Sequence, residues 1–188
     1  NLNKIIMIKH KEILNEIDSV LSKVDSLEIK ELINLIIKSE TLVTLGAGRV
    51  GMAIKGFAMR LGHLGFNAYH IGDTTLPSIG NNDLLIVASG SGETQSVYDL
   101  VKIASNNGSS IILITGNKES RIAKLSNKTL LVKAPSKVKK VDGLESIQPM
   151  TTLNEQCLSI LFDSIVLEIM NEVNETHDTM WDRHSNLE

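Results

Sequence analysis

Apolar residues recur at helical spacing through the first forty positions. Over residues 5–24 they fall at Ile6, Ile13, Ile17 and Leu21 among Lys, Glu and Asp side chains, which predicts a helix with one buried stripe. Asp25 and Ser26 read as a turn. A second amphipathic stretch follows over 27–39, with Ile29, Leu32, Ile33 and Ile36 on one side. Beyond residue 40 the pattern changes. Short, almost continuously apolar runs at 41–45, 67–71, 83–88, 110–115 and 129–133 alternate with helical stretches at 49–64, 95–106 and 120–125, and a long helix covers 152–173. Strands without inside–outside alternation are covered on both faces, which predicts a parallel sheet between helices. Right-handed crossovers then make an α/β three-layer sandwich around a five-stranded parallel sheet. The expected strand order is 2-1-3-4-5, the flavodoxin-like arrangement. The whole chain reads as a single domain: leading helices over 1–39, an α/β core over 40–150, and a helix with a tail over 151–188.

Two glycine-rich loops stand at the ends of predicted strands. The first is Gly46-Ala-Gly48-Arg49-Val-Gly51, a complete G-x-G-x-x-G, and Asp73 lies about where a dinucleotide's ribose would need a carboxylate. A nicotinamide-dinucleotide domain is therefore one reading. The third strand argues against it, because it ends in Ser89-Gly90-Ser91-Gly92-Glu93-Thr94 and runs directly into a helix. Glycines let backbone N–H groups turn inward, Ser89, Ser91 and Thr94 add hydroxyls, and the helix N-terminus adds about half a positive charge. Such a loop suits a phosphate monoester, and a dinucleotide fold has no need of a second one. Ser and Gly are also ordinary turn and cap residues; the repetition of the pattern at two strand ends favours a ligand site.

Composition narrows the classes. The net charge of −3 and 3% aromatic content give no electrostatic or stacking basis for nucleic acid. No apolar run approaches the roughly 18 residues of a membrane span. A single cysteine, Cys157, excludes an internal disulfide and suits a reducing compartment. The expectation is a cytoplasmic protein bound to neither nucleic acid nor membrane. The segment 135–150, with Lys137, Lys139, Lys140 and Gly143, reads as a solvated basic loop or as a loop near the site.

The run Ser89-Gly-Ser91-Gly-Glu-Thr94 resembles the phosphate loop of SIS (sugar isomerase) domains. Gly46-Ala-Gly-Arg49-Val-Gly51, Phe57-Ala-Met-Arg60-Leu-Gly-His63-Leu-Gly-Phe66, Ile147-Gln-Pro-Met150, Glu155-Gln156 and the ending Arg183-His184-Ser-Asn186-Leu-Glu188 are similar to the 6-phospho-3-hexuloisomerases among them. The resemblance implies conversion of D-arabino-hex-3-ulose 6-phosphate to fructose 6-phosphate with no metal or organic cofactor. It also implies a homotetramer with sites near subunit boundaries, and a preceding 3-hexulose-6-phosphate synthase that condenses formaldehyde with ribulose 5-phosphate.

Moving a ketone between C3 and C2 requires one group that takes a proton from C2 and returns one to C3. The resemblance places the catalytic carboxylate at Glu155, although Thr152-x-x-Glu155 is equally a capping box. His63, on one helix face with Arg60, is a candidate proton carrier or simply a surface histidine. Expected substrate contacts are Gly48, Arg49, Ser89, Ser91, Gly92, Thr94 and His184, the last from the tail of a neighbouring subunit unless the terminus frays. Glu93, beside a bound phosphate, is expected to point away. The final helix is apolar on nearly all sides, from Leu158 and Ile160 to Ile169 and Met170. A helix of that kind must be covered, which again suggests a homo-oligomer. A non-catalytic sugar-phosphate-binding protein of the same fold is the alternative.

Overall fold

A computed structural model describes residues 8–135 and 144–187. Its elements run α1 (His10–Leu21), α2 (Ser26–Lys38), β1 (Leu42–Gly46), α3 (Gly48–His63), β2 (Ala68–His70), β3 (Leu84–Ala88) and α4 (Gln95–Asn106). They continue through β4 (Ser110–Thr115), one 3₁₀ turn at Ala123–Leu125, β5 (Lys128–Leu131), α5 (Thr152–Val173) and α6 (His177–Trp181). The sheet has the expected order β2-β1-β3-β4-β5, and every neighbouring pair is parallel.

Both faces of the sheet are covered, which is why its strands carry no polar alternation. Leu42, Leu84, Ile86, Ile112, Ile114 and Leu130 pack against α3 and α5, with Ile17, Val20, Leu32 and Ile36 of α1 and α2 in the same core. The alternate strand positions Val43, Leu45, Leu85, Val87, Ile111 and Leu113 pack against Val97, Val101 and Ala104 of α4 and against Ile122. No helix connects β2 to β3; Leu76 and Ile79 of that crossover lie on the α4 side instead. The open edge at β5 is guarded by α2: Glu28 accepts the Leu131 amide at 2.7 Å and Glu31 pairs with Lys128 at 2.7 Å, the usual protection of a sheet edge by charge and cover.

Several expectations shift. The first helix covers a shorter span than 5–24, and residues 1–7 lie outside the described residues. β2 stops at His70, where Asp73 Oδ2 takes the His70 amide at 2.8 Å and turns the chain. The stretch 120–125 forms a single 3₁₀ turn, and α6 is an additional helix, capped by Thr176. Lys137, Lys139, Lys140 and Gly143 lie outside the described residues. The apolar girth of α5 is largely met within the chain: Leu153, Cys157, Leu158, Leu161, Phe162, Ile165, Val166 and Ile169 are buried, against α3, α1 and α2. Ile160 and Leu167 remain exposed, so the covered surface once expected of a second copy reduces to those positions. No helix among the described residues is long and apolar enough to cross a membrane.

Two contacts fix where α5 begins, and so where its first-turn side chains lie. Phe57 of α3 and Phe162 of α5 stack with ring centroids 4.7 Å apart, a pairing that adds about 0.5–1.5 kcal/mol beyond burial. Cys157 is fully buried beside them, and burial pushes its thiol up to about 12, which makes it a packing group. At the other contact, Glu16 of α1 holds the segment leading into α5. Its carboxylate accepts from Ser146 Oγ (2.7 Å), the Ile147 amide (2.7 Å) and Gln148 Nε2 (3.0 Å). Burial alone would raise its pKa; the bonds from Gln148, Ile147 and Ser146 outweigh it and hold the group below its ordinary 4.5.

Glu16→Ala is therefore expected to destabilise the fold by about 2 kcal/mol, the scale of losing hydrogen bonds to a charged acceptor. A carboxyl depressed in the folded state contributes fully above its unfolded value and loses that contribution as pH falls through the lower folded value. Urea midpoints of wild type and variant should thus differ at neutral pH and converge below about pH 4.5. A constant gap down to strongly acid pH would show that the loss comes from packing instead.

Candidate active site

The first glycine loop turns sharply out of β1. Gly48 has φ +58°, and a Cβ on Gly51 would lie 2.8 Å from the Gly46 carbonyl oxygen, so neither position accommodates a side chain without strain. This turn delivers the N-terminus of α3, whose N-cap is Ala47 and which has no side-chain cap. The second loop leaves β3 with Ser89 buried, its Oγ accepting from the Gly92 amide at 3.1 Å. Gly92 has φ +65°, and a Cβ there would meet Ser120 Oγ at 2.0 Å. Ser91 Oγ accepts from the Glu93 amide at 3.2 Å. The loop then enters α4, where Thr94 occupies the N-cap without using its side chain as a cap. Met150, with φ 56°, turns the chain into α5, whose N-cap Thr151 also makes no side-chain capping bond.

The uncapped starts of α3, α4 and α5 thus meet at one cavity of about 330 Å³, lined by Gly48, Arg49, Gly90, Ser91, Thr94, Thr151, Asn154 and Glu155 among others. The first amides of a helix have no partner inside it, and each start carries about half a positive charge. With Arg49 alongside, the cavity favours an anion. Among its described lining residues, Glu155 is the one carboxylate.

Glu155 does not form the capping box that its spacing from Thr152 suggested. Its side chain is 12% exposed and Oε2 lies 2.6 Å from Arg49 Nε, while Oε1 accepts from Thr151 Oγ1 at 2.8 Å. The Arg49 contact is an ion pair without hydrogen-bond alignment, and buried Oε2 has no hydrogen-bond partner. Thr152, the other half of the suspected capping box, donates to the Pro149 carbonyl at 2.8 Å instead. On the far side of the Arg49–Glu155 pair lies a wider groove of about 430 Å³ between α3 and α5. It is lined by Met52 and Gln156, and Gln156 Oε1 is buried without a hydrogen-bond partner.

The structure therefore gathers Gly48, Arg49, Ser91, Thr94 and Glu155 around one cavity. Ser89 and Gly92 belong to the loop but shape it from behind, one through its hydroxyl and one by yielding space to Ser120. Glu93 turns away as expected, with Arg121 Nε 2.7 Å from its Oε2. His63 and His184 lie elsewhere. His63 ends α3, about 22 Å from Gly48 at 1.5 Å per residue, with its ring centroid 5.2 Å from that of His184. The tail that carries His184 is tied down: Arg183 donates to Glu175 at 2.8 Å and to the His63 carbonyl at 3.1 Å, and Arg183 holds the Glu175 carboxyl down to about 2. Asp73 accepts the His70 amide through Oδ2 at 2.8 Å and shapes the turn after β2. Thr151, Asn154 and Glu16 are the site and support residues that the sequence reading missed. Among the described residues no cluster of His, Cys, Asp and Glu could hold a metal ion.

A fold of this order, with paired glycine turns beneath an anion-seeking cavity, defines a class. The SIS domain model matches residues 35–160, and the chain belongs to the SIS domain family. Its relatives within that family include 3-hexulose-6-phosphate isomerases. The one from Bacillus subtilis is 36% identical over 94% of this chain and 96% of its own length. The one from Methanocaldococcus jannaschii is 39% identical over 85% of this chain and 84% of its own. A crystal structure of a hypothetical protein from Methanococcus jannaschii, from which a 3-hexulose-6-phosphate isomerase function was inferred, superposes with a TM-score of 0.82. That protein is 34% identical, over 96% of this chain and 100% of the other.

If the cavity binds phosphate, inorganic phosphate should raise Tm at fixed ionic strength, by an amount that grows with the logarithm of its concentration above Kd. Ser91→Asp keeps an acceptor for the Glu93 amide but puts a negative charge in the cradle. It should weaken phosphate at least tenfold while leaving the ligand-free Tm nearly unchanged. An equal phosphate shift in both proteins would place the anion elsewhere.

Proposed function

We propose that the chain interconverts D-arabino-hex-3-ulose 6-phosphate and fructose 6-phosphate through an enediol, with Glu155 as the proton-transferring base. The observation that carries this reading is the position of Glu155: the one carboxylate among the described lining residues, paired with Arg49 and facing the same cavity as the phosphate-type loop. The similarity to 3-hexulose-6-phosphate isomerases across most of the chain supports it.

In this mechanism the phosphate sits against Gly90, Ser91 and Thr94 at the start of α4, which stretches the sugar chain toward α5. Glu155 Oε2 takes the proton from C2 of the 3-hexulose. The electrons of that C–H bond form the C2=C3 double bond, and the C3 carbonyl oxygen becomes the enediolate oxygen. Return of the proton to C3, with transfer of the O2 proton to O3 directly or through solvent, leaves the ketone at C2 and a hydroxyl at C3. Electrons stay within the substrate, so the step requires no redox cofactor. Arg49 moves from Glu155 toward the developing oxyanion, which both frees the base and stabilises the charge. Thr151 fixes the carboxylate through Oε1. Gly48 admits the substrate close to the backbone. His63 and His184, remote within one chain, fit this scheme only at the cavity of a neighbouring subunit, in the homotetramer that the reading entails. The paired reaction upstream is a synthase that joins formaldehyde to ribulose 5-phosphate.

Incubation with fructose 6-phosphate should yield the 3-hexulose phosphate without added metal. Glu155→Gln should lower kcat by about 10²–10⁴-fold, the usual contribution of general acid–base catalysis, while sugar-phosphate binding survives. Full activity in that variant would remove Glu155 from the role of base. Tight binding by the wild type without turnover would favour the non-catalytic sugar-phosphate binder.

A further inference from the structure

Asn154 is a polar residue in a place that should be apolar. It sits on α5 between Leu153 and the buried Cys157 and Leu158, and only 2% of its surface is exposed. Its carboxamide packs over the second glycine loop: a Cβ on Gly90 would lie 2.9 Å from Nδ2. The same side chain lines the cavity shared by Ser91, Thr94 and Glu155. Among the described residues that carboxamide makes no hydrogen bond. The fully buried polar atoms without a partner among the described residues are Ser109 Oγ, Glu155 Oε2 and Gln156 Oε1; the Asn154 amide keeps a small accessible surface, and it opens on the cavity, where a ligand can meet it.

We infer that Asn154 is a specificity-determining residue, bonding a hydroxyl of the sugar chain between the phosphate and the C2–C3 pair; this rests on the function proposed above. Placement and chemistry agree. Along the cavity wall Asn154 falls between Gly90 of the cradle and Glu155, so its partner lies on the intervening carbons, C4 or C5. A carboxamide offers one donor group and one acceptor. A hydroxyl also both donates and accepts, whereas an ionised phosphate only accepts and is already served by helix amides. A site whose buried polar group needs a substrate hydroxyl rejects analogues that lack it far more strongly than an apolar pocket rejects a lost methylene.

The test compares wild type with Asn154→Leu, which keeps the branched shape and removes the amide. Inorganic phosphate affinity, fructose 6-phosphate affinity, kcat/KM and Tm are measured on both. The expected result is an unchanged or higher Tm, phosphate binding within twofold of wild type, and fructose 6-phosphate affinity and kcat/KM reduced about 10- to 100-fold, mostly through KM. The 4-deoxy or the 5-deoxy analogue of fructose 6-phosphate should suffer the same loss in wild type and no further loss in the variant. A tenfold weaker grip on inorganic phosphate would make Asn154 a phosphate ligand and overturn the inference, as would wild-type affinity and kcat/KM in the variant. If the wild type fails to turn over fructose 6-phosphate, the proposed function falls, and the binding comparison still decides the role of Asn154.

Discussion

Three helices begin at one cavity and none of them is capped by its own N-cap side chain. That arrangement is the constraint on which the site depends. Backbone amides at the starts of α3, α4 and α5 carry partial positive charge and lack intrahelical acceptors, and water or an anion must satisfy them. Arg49 adds a further positive charge beside them, and Glu155 is the carboxylate that offsets it. In the proposed mechanism a phosphate ester entering the cradle supplies the missing negative charge, and Arg49 is then released to act on the substrate. Binding and activation of the base thus follow from one electrostatic imbalance.

Such an arrangement needs helix starts that hold their positions. Gly46 and Gly51 touch closely enough to lock α3 onto β1. Gly92 leaves just enough room for Ser120 behind the second loop. The start of α5 is set by the stacked Phe57 and Phe162 and by Glu16, which holds the 146–148 segment from a helix more than a hundred residues upstream. The leading helices therefore serve the site as well as the core.

Much of this was legible in the chain. Continuous apolar strands announced a doubly covered parallel sheet, and the glycines at two strand ends located the cradle on β1 and β3. Edge elements were less legible: β2 is ended by a side chain, Asp73, and α6 is too short to show a periodicity. The meaning of Thr152-x-x-Glu155 was ambiguous because spacing alone cannot tell a cap from a base. The three-dimensional contacts of Thr152 with Pro149 and of Glu155 with Thr151 and Arg49 set the capping box aside, and the base is the reading proposed above. Asn154 gave no signal of its own, standing in the polar run Thr151-Thr-Leu-Asn-Glu-Gln156, and it acquires meaning only when α5 is seen lying across Gly90. His63 was expected as a proton carrier at the site and His184 at a neighbouring subunit's site; within the chain their rings lie beside each other, at the opposite end of α3 from Glu155.

A crystal structure of the chain with fructose 6-phosphate tests the central claim most directly. The account expects phosphate oxygens within about 3 Å of the Ser91 amide and the first amides of α4, with Glu155 facing the C2–C3 bond. A phosphate seated anywhere else, such as beside His63 and His184 of the same subunit with the cradle unfilled, would contradict it.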